Sequence, residues 1–359
     1  MLIYWLIFAF LSMLSVLSLL RTNPVTVRRL YIVIGAMLVV FSGLRGDFVG
    51  FDYDQYDMLF NHPGRLASHL FEPIYQLLFR AFIPLGNLHY LLCFIAIPAI
   101  TIKLWFFKRY SFYPFLSLVI YYVTLFLIAD MGQIRYGLGM AVILIYFYLL
   151  VTRPRLYLLL PVLLTALMCH YSTIIVWPTL LFYRRRFSLL AMALLTTFGA
   201  AFYFIDVNAI ILLASDYMPQ GHIQTKMIAY ALDTKGFGHE LGVNFSLVMR
   251  FAILLALYHM VRKAPARDPW HIFFNLYFYG VVLYMVFNAN SEFAIRTSGY
   301  FKILEVVILP LFVKMTRDQG WRLVLMTIII IYSAYSLWKI VVDPDVCDPF
   351  IPYSNILFS

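Results

Sequence analysis

The chain alternates long apolar runs with short polar breaks. A helix needs about 20 apolar residues to cross a hydrocarbon core roughly 30 Å thick. Runs approaching that length recur at 2–20, 30–44, 88–107, 113–129, 137–151, 156–170, 171–183, 188–205, 246–261, 271–288, 299–313 and 323–342. The pattern predicts an all-α, polytopic transmembrane helical bundle of about 12 spans, read as one integral membrane domain over 1–359. The run 156–183 is the hardest to divide. A single tilted span would put the Arg153/Arg155 and Arg184–Arg186 breaks on opposite faces of the membrane. A hairpin turning at His170 keeps them on one face. Its arms would be short, about 21 Å for 14 residues. They would hold His170 below the outer surface in a protein-lined cavity, where a backbone turn at membrane depth is tolerated.

Charge orients this array. Six short breaks (Arg21–Arg29, Lys103–Arg109, Arg153–Arg155, Arg184–Arg186, Arg262–Arg267 and Lys314–Arg322) hold 17 of the 27 Lys and Arg, and short basic loops stay cytoplasmic. Both termini then lie outside. Fourteen of the 17 acids fall in outer loops or the tail, which agrees. Residues 2–20 lack a basic lead and a small-residue cleavage site, so they read as a retained span and not a signal peptide. The outer loops 45–87 and 206–245 are long, the first with a half-helix expected from Glu72 to Phe82 and the second a candidate lid. Loops 130–136 and 289–298 are short.

Composition narrows the class. Hydrophobic residues make up 63% of the chain and charged residues 12%, with mean hydropathy +0.86; a soluble core has no use for so much apolar surface. The cytoplasmic loops account for the +10 net charge, so nucleic acid is not an expected partner. Three cysteines give no disulfide framework or zinc pattern. Nucleotide-loop, dinucleotide, zincin and serine-elbow motifs are absent. The scattered His62, His69, His89, His222 and His239 have no ligand spacing, and no metal or cofactor is predicted.

Four polar clusters interrupt the apolar pattern at the outer face. The first runs Arg45-Gly46-Asp47-Phe48-Val49-Gly50-Phe51-Asp52-Tyr53-Asp54-Gln55-Tyr56-Asp57 and is followed by Glu72-Pro73. Carboxylates accept bonds from sugar hydroxyls and tyrosine rings stack on sugar faces; a solvated acidic loop is the plain alternative. Capping of the half-helix is the plain account of Glu72. The second cluster is Asp130-Met131-Gly132-Gln133-Ile134-Arg135-Tyr136-Gly137. It reads either as a turn with an Asp130–Arg135 pair or as a site where Arg135 grips phosphate, for which guanidinium is best shaped. Gly137 and Gly139 would let a helix or lipid chain come close. The third, Cys169-His170-Tyr171-Ser172, offers an imidazole able to take a hydroxyl proton. The fourth runs from Asn288 through Glu292 and Arg296 to Tyr300, Phe301 and Lys302. Here Arg296 is a second phosphate candidate and Lys302 a snorkelling residue. Arg45, Arg65, Arg80 and Arg250 add outer-side charge.

These residues, taken in order, resemble the EpsG-like, Wzy-type polysaccharide polymerases. Arg45…Gly50-Phe51-Asp52…Tyr56 is similar to that family's R…GxD…Y element, and Glu72-Pro73-Ile74-Tyr75 to its E-[PG]-x-[YF]. Gln133-Ile134-Arg135-Tyr136-Gly137 is similar to I-R-Q-x-[LIF], with Tyr136 where Gln is usual. His170-Tyr171-Ser172 is similar to H-x-S, and Arg296…Tyr300-Phe301 to a late R…Y-[FL] pair. Pro352-Tyr353 in the tail fits as well. The resemblance covers almost the whole chain. It implies a plasma-membrane glycosyltransferase that joins oligosaccharide repeat units carried on undecaprenyl diphosphate at the outer face, releasing undecaprenyl diphosphate. Its partners would be the lipid-linked oligosaccharide and membrane lipid, with a flippase and a chain-length regulator as candidates.

On this reading Arg135, Arg296 and Arg45 bind diphosphate. His170, Asp52 and Glu72 are the catalytic candidates, in no fixed order. Tyr53, Asp54, Tyr56, Asp57, Gln133 and Tyr300 hold sugar. A lipid-linked glycan ligase or an O-acyltransferase would use similar residues. A transporter is the alternative of a different class; it favours polar groups near the midplane and gates at both faces, whereas polar residues here gather at one face.

Overall fold

The computed structural model describes residues 1–20, 23–65, 71–217, 224–225, 228, 231–232, 240–343 and 347–356. In chain order the helices are α1 Leu2–Leu17, α2 Pro24–Gly43, α3 Tyr53–Asn61, α4 Pro73–Phe82, α5 Leu88–Tyr110, α6 Pro114–Tyr121, α7 Ile134–Thr152 and α8 Leu156–Cys169. There follow α9 Leu189–Ala201, α10 Val207–Asp216, α11 Phe245–Val261, α12 Pro269–Val286, α13 Ser291–Lys302, α14 Glu305–Met315 and α15 Gln319–Val342. α6 continues as a π-helix over Tyr122–Gly132, and a 3₁₀ segment spans Tyr171–Leu181. Among the described residues there is no strand, only an isolated bridge between Arg45 and Asn355.

Local chemistry explains many of the starts. Asn23, Asn87, Ser188, Asp206, Asn244, Asp268, Asn290 and Asp318 each cap a helix by accepting a first-turn backbone N–H. Pro24, Pro73, Pro114 and Pro269 occupy the first turns, where a missing N–H costs nothing.

Among the described residues five elements are long and apolar enough to cross a membrane: Pro24–Gly43, Leu88–Tyr110, Pro114–Gly132, Ile134–Thr152 and Gln319–Val342. Shorter apolar helices accompany them. This is a helical membrane protein. The predicted half-helix is present as α4, and the 156–183 run is broken at His170, between α8 and the 3₁₀ segment. Three expectations need correction. Residues 289–298 are not a loop: the Asn290 side chain accepts the Phe293 N–H and starts α13 at Ser291, placing Arg296 on a helix. The predicted 299–313 span is interrupted between Lys302 and Glu305. Lys103, assigned to a basic loop, lies inside α5 and is fully enclosed.

The chain, read from sequence as one domain, divides into two compact units. The first comprises Met1–Tyr148, Leu156–Tyr171 and Glu305–Ser359. Its centre is the Pro114–Gly132 element, 89% enclosed over its apolar window, against 33% for Pro24–Gly43 and Gln319–Val342, which flank it. α2 and α5 pack antiparallel. At one end Lys108 sits over the Tyr31 ring, near Arg28 and Arg29; at the other, Gly43 lies against Cys93. α2 has 20 residues, so its basic end and the Arg45 end are about 30 Å apart.

The tail closes over that second end. Gly46 N–H donates to the Ser354 carbonyl, Gly50 N–H to Pro349 and Ile356 N–H to Leu44. The Tyr353 ring stacks on Phe41 with centroids 4.1 Å apart. The Tyr4 hydroxyl donates to the Phe350 carbonyl, so α1 begins at this end too.

Gly50 is required where this loop meets the π-helix. Its φ is +116°, and a Cβ there would lie 2.5 Å from the Met131 carbonyl oxygen. Gly50→Ala is expected to cost about 1–3 kcal/mol through strain and displacement. A thermal melt in detergent tests this, and an unchanged midpoint would contradict it.

The second unit comprises Leu149–Arg155 and Ser172–Leu304. α12 and α13 approach so closely that a Cβ on Gly280 would collide with Phe301 Cβ. Asn275 donates to the carbonyls of Phe182, Tyr183 and Arg185, satisfying groups that the ending 3₁₀ segment leaves open. Arg250 is buried over the Tyr284 ring, 4.2 Å from its centroid. Part of the lid expected within 206–245, including His222 and His239, lies outside the described residues, as does His69.

Candidate functional site

Glu72 occupies the N-cap position of α4, immediately before Pro73, yet its carboxylate makes no capping bond. The capping account therefore fails. The carboxylate turns inward instead, with Oε1 2.8 Å from His170 Nδ1 and Oε2 3.2 Å from Arg135 Nη1. Arg135 stands in the first turn of α7, and His170 follows the last residue of α8. Asp52, just before α3, brings Oδ2 to 3.6 Å from Arg135 Nη2. The Tyr56 hydroxyl, one helical turn later, donates to Asp52 Oδ2 at 3.0 Å and accepts from Arg135 Nε at 3.3 Å. The guanidinium lies 4.6 Å over the Phe71 ring, a favourable cation–π placement. The Tyr136 ring meets His170 edge-on at 5.7 Å. Four elements distant in sequence thus converge within the first unit.

With neutral imidazole the group holds one positive and two negative charges. Glu72 is the closed member, 3% exposed, while His170 at 15% and Asp52 at 24% are the open ones. Burial alone would raise the Glu72 carboxyl. The His170 hydrogen bond and the Arg135 charge outweigh burial and hold it at about 2. Burial first, then Asp52, keeps the Tyr56 hydroxyl above its ordinary value and protonated, so it donates.

The depressed Glu72 carboxyl makes a pH prediction. Its stabilisation is complete above its ordinary value of 4.5 and is lost as pH falls towards about 2. The melting midpoint should decline across that window more steeply in wild type than in Glu72→Gln; parallel profiles would count against the pairing.

Other expected site residues fall differently. Arg45 is buried: Nε donates to the Val49 carbonyl at 2.8 Å and Nη1 to Ser42 at 2.7 Å, and burial pulls its guanidinium down to about 10. It clamps the main chain and offers no open face to a diphosphate. Tyr53, Tyr56 and Tyr300 are 3%, 0% and 0% exposed, so their rings are covered and cannot stack on sugars as expected. Tyr53 donates to Asp47 at 2.5 Å. Asp54 is exposed, Asp57 accepts from Asn61, and Gln133 is partly exposed at the start of α7.

In the second unit Arg296 Nε is 2.6 Å from Glu292 Oε2, an ion pair by distance one turn apart on α13. There the Tyr300 hydroxyl shares a 2.8 Å bond with Ser172 Oγ. The alternative Asp130–Arg135 pair does not form: Asp130 pairs with Lys103. Gly137 does admit a close approach, but from Ala129 and Asp130 at the end of the π-helix. Phe71 carried no expected role, and Lys103 was expected only in a basic loop. Opposite charges alone within apolar runs were the available signal for Lys103. Among the described residues no group of three or more His, Cys, Asp or Glu is arranged to hold a metal.

No solved structure matches the chain. Over 171 residues it is 28% identical to the amylovoran biosynthesis protein AmsC of Erwinia amylovora, a match covering 43% of this chain and 46% of that protein. The alignment spans less than half the relative's length. The EpsG family model matches residues 28–355, a stretch that contains Asp52, Glu72, Arg135 and His170, and the chain belongs to the EpsG family.

Proposed function

We propose that this protein is a membrane glycosyltransferase that polymerises undecaprenyl-diphosphate-linked oligosaccharide repeat units at the outer face of the bacterial plasma membrane. Family membership and the relative's role in amylovoran biosynthesis support a polysaccharide polymerase. The observation that carries the chemistry is the convergence of Arg135, Glu72, His170 and Asp52. The cluster lies near the Arg45 end of the first unit, away from the basic end formed by Arg28, Arg29, Lys108 and Arg109, as an outward-facing site requires. Twelve crossings with both termini outside is the matching topology.

The geometry supports one set of roles. A carboxyl held at about 2 is a poor base near neutrality, so Glu72 is assigned to orienting His170. With Nδ1–H donated to Glu72, neutral imidazole carries its lone pair on Nε2. A hydroxyl of the incoming lipid-linked unit gives its proton to Nε2 and attacks the anomeric carbon of the growing chain. The new glycosidic bond forms as the bond to the diphosphate breaks, and undecaprenyl diphosphate leaves with the electron pair. Glu72 stabilises the imidazolium. Arg135 meets the developing phosphate charge by exchanging Asp52, its looser partner at 3.6 Å. Asp54, Asp57 and Gln133 offer sugar contacts through polar atoms.

Purified protein given lipid-linked repeat units should yield a ladder of lengths on lipid. Whole chains moved to another lipid would identify a ligase, an unchanged length with added acyl groups an acyltransferase, and flux without a covalent product a transporter.

A further inference from the structure

The proposed chemistry leaves Lys103 and Asp130 unused, yet both side chains are fully enclosed. Lys103 Nζ donates to the Asp130 carboxylate and, at 2.8 Å, to the Gly137 carbonyl. The Tyr121 hydroxyl donates to the second carboxylate oxygen. The Ser42 hydroxyl donates to the Asp130 main-chain carbonyl at 2.7 Å. Removing two charges from water costs several kcal/mol per ion, and a well-packed apolar pair often stabilises as well or better. Holding helices together therefore gives no reason for charges here. What an apolar contact cannot supply is direction.

The pair directs one turn. Asp130 lies near the end of the π-helix and Gly137 in the first turn of α7, so Lys103 bridges both sides of the 130–137 segment. That segment carries Arg135. Its preceding face also holds Asp52, whose N–H donates to the Gly132 carbonyl at 3.2 Å, while Gly50 abuts the Met131 carbonyl. The segment has little slack: a Cβ on Gly137 would meet the Ala129 carbonyl oxygen at 2.7 Å and Asp130 Oδ1 at 2.8 Å. A π-helical stretch of this kind often marks a functional position.

We infer that Lys103 and Asp130 are positioning residues, whose buried pair clamps the 130–137 turn and sets Arg135 against Asp52 in the site. In its kinetic consequence the inference rests on the polymerase reading; in its geometry it does not.

The test is the double variant Lys103→Met/Asp130→Leu, which removes both charges and leaves none uncompensated. Its melting midpoint should stay close to wild type. Turnover should fall by about 10²-fold with KM little changed, the penalty of a small misplacement of a reacting group. The rate at which phenylglyoxal modifies Arg135, followed by peptide mass spectrometry, should rise severalfold as its partners loosen. Gly137→Ala disturbs the same turn with both charges retained and should shift both readouts the same way by less; it decides the matter if the double variant does not fold. Wild-type turnover together with a wild-type modification rate would overturn the inference and leave the pair as packing. If wild-type protein forms no polymer, the polymerase reading fails while the modification rate still decides the clamp.

Discussion

Arg135→Ala is expected to reduce polymerisation by about 10²–10³-fold, the cost of removing one preorganised donor to developing charge. Arg135 is the only arginine in the described cluster, with donors directed at Glu72, Asp52 and Tyr56 and a face on Phe71. Its loss also strips the nearly enclosed Glu72 of its strongest counter-charge, so a lower melting midpoint should accompany the kinetic defect. Arg135→Lys separates the two effects. It keeps the charge beside Glu72 and loses the planar fork that suits phosphate. Lysine should recover most of the stability and only part of the turnover. Ladder formation by Arg135→Ala at the wild-type rate, with the protein folded, would remove Arg135 from the chemistry.

His170→Gln should lower turnover by about 10²–10⁴-fold, the usual worth of a positioned base. Glu72→Gln should fall in the same range, because an amide neither stabilises the imidazolium nor dictates which ring nitrogen carries the proton. The decisive measurement is the Glu72→Gln/His170→Gln pair. Groups that act as one unit are strongly non-additive, so the double variant should be about as slow as His170→Gln alone. Fully multiplicative losses would mean that the two residues work independently and that the 2.8 Å contact does not orient the base.

The two ends of the first unit were legible in different ways. Arg28, Arg29, Lys108 and Arg109 announced themselves because basic residues beside apolar runs obey a compositional rule. The order Asp52, Glu72, Arg135, His170 could be read as motifs, but not the pairings among them. Asp130 and Arg135 are five residues apart in sequence and invited a local pair. Each instead found a partner from another element, Lys103 at a separation of 27 residues and Glu72 at 63. Tyr53 and Tyr56 looked like sugar platforms because tyrosine beside acids is ambiguous until burial is known. Arg45 looked like an anion ligand because a sequence does not say whether main-chain carbonyls await a guanidinium.

Apolar run length, a proline placed to open a helix and the charge of short loops are local properties, and they were enough to determine a helical membrane protein, the half-helix after Glu72 and the break at His170. Which charges face one another, which rings are covered and which acid is closed off depend on contacts between segments far apart in the chain. Those contacts are decided by packing and by the cost of leaving any buried charge without a partner, and only the tertiary structure resolves them.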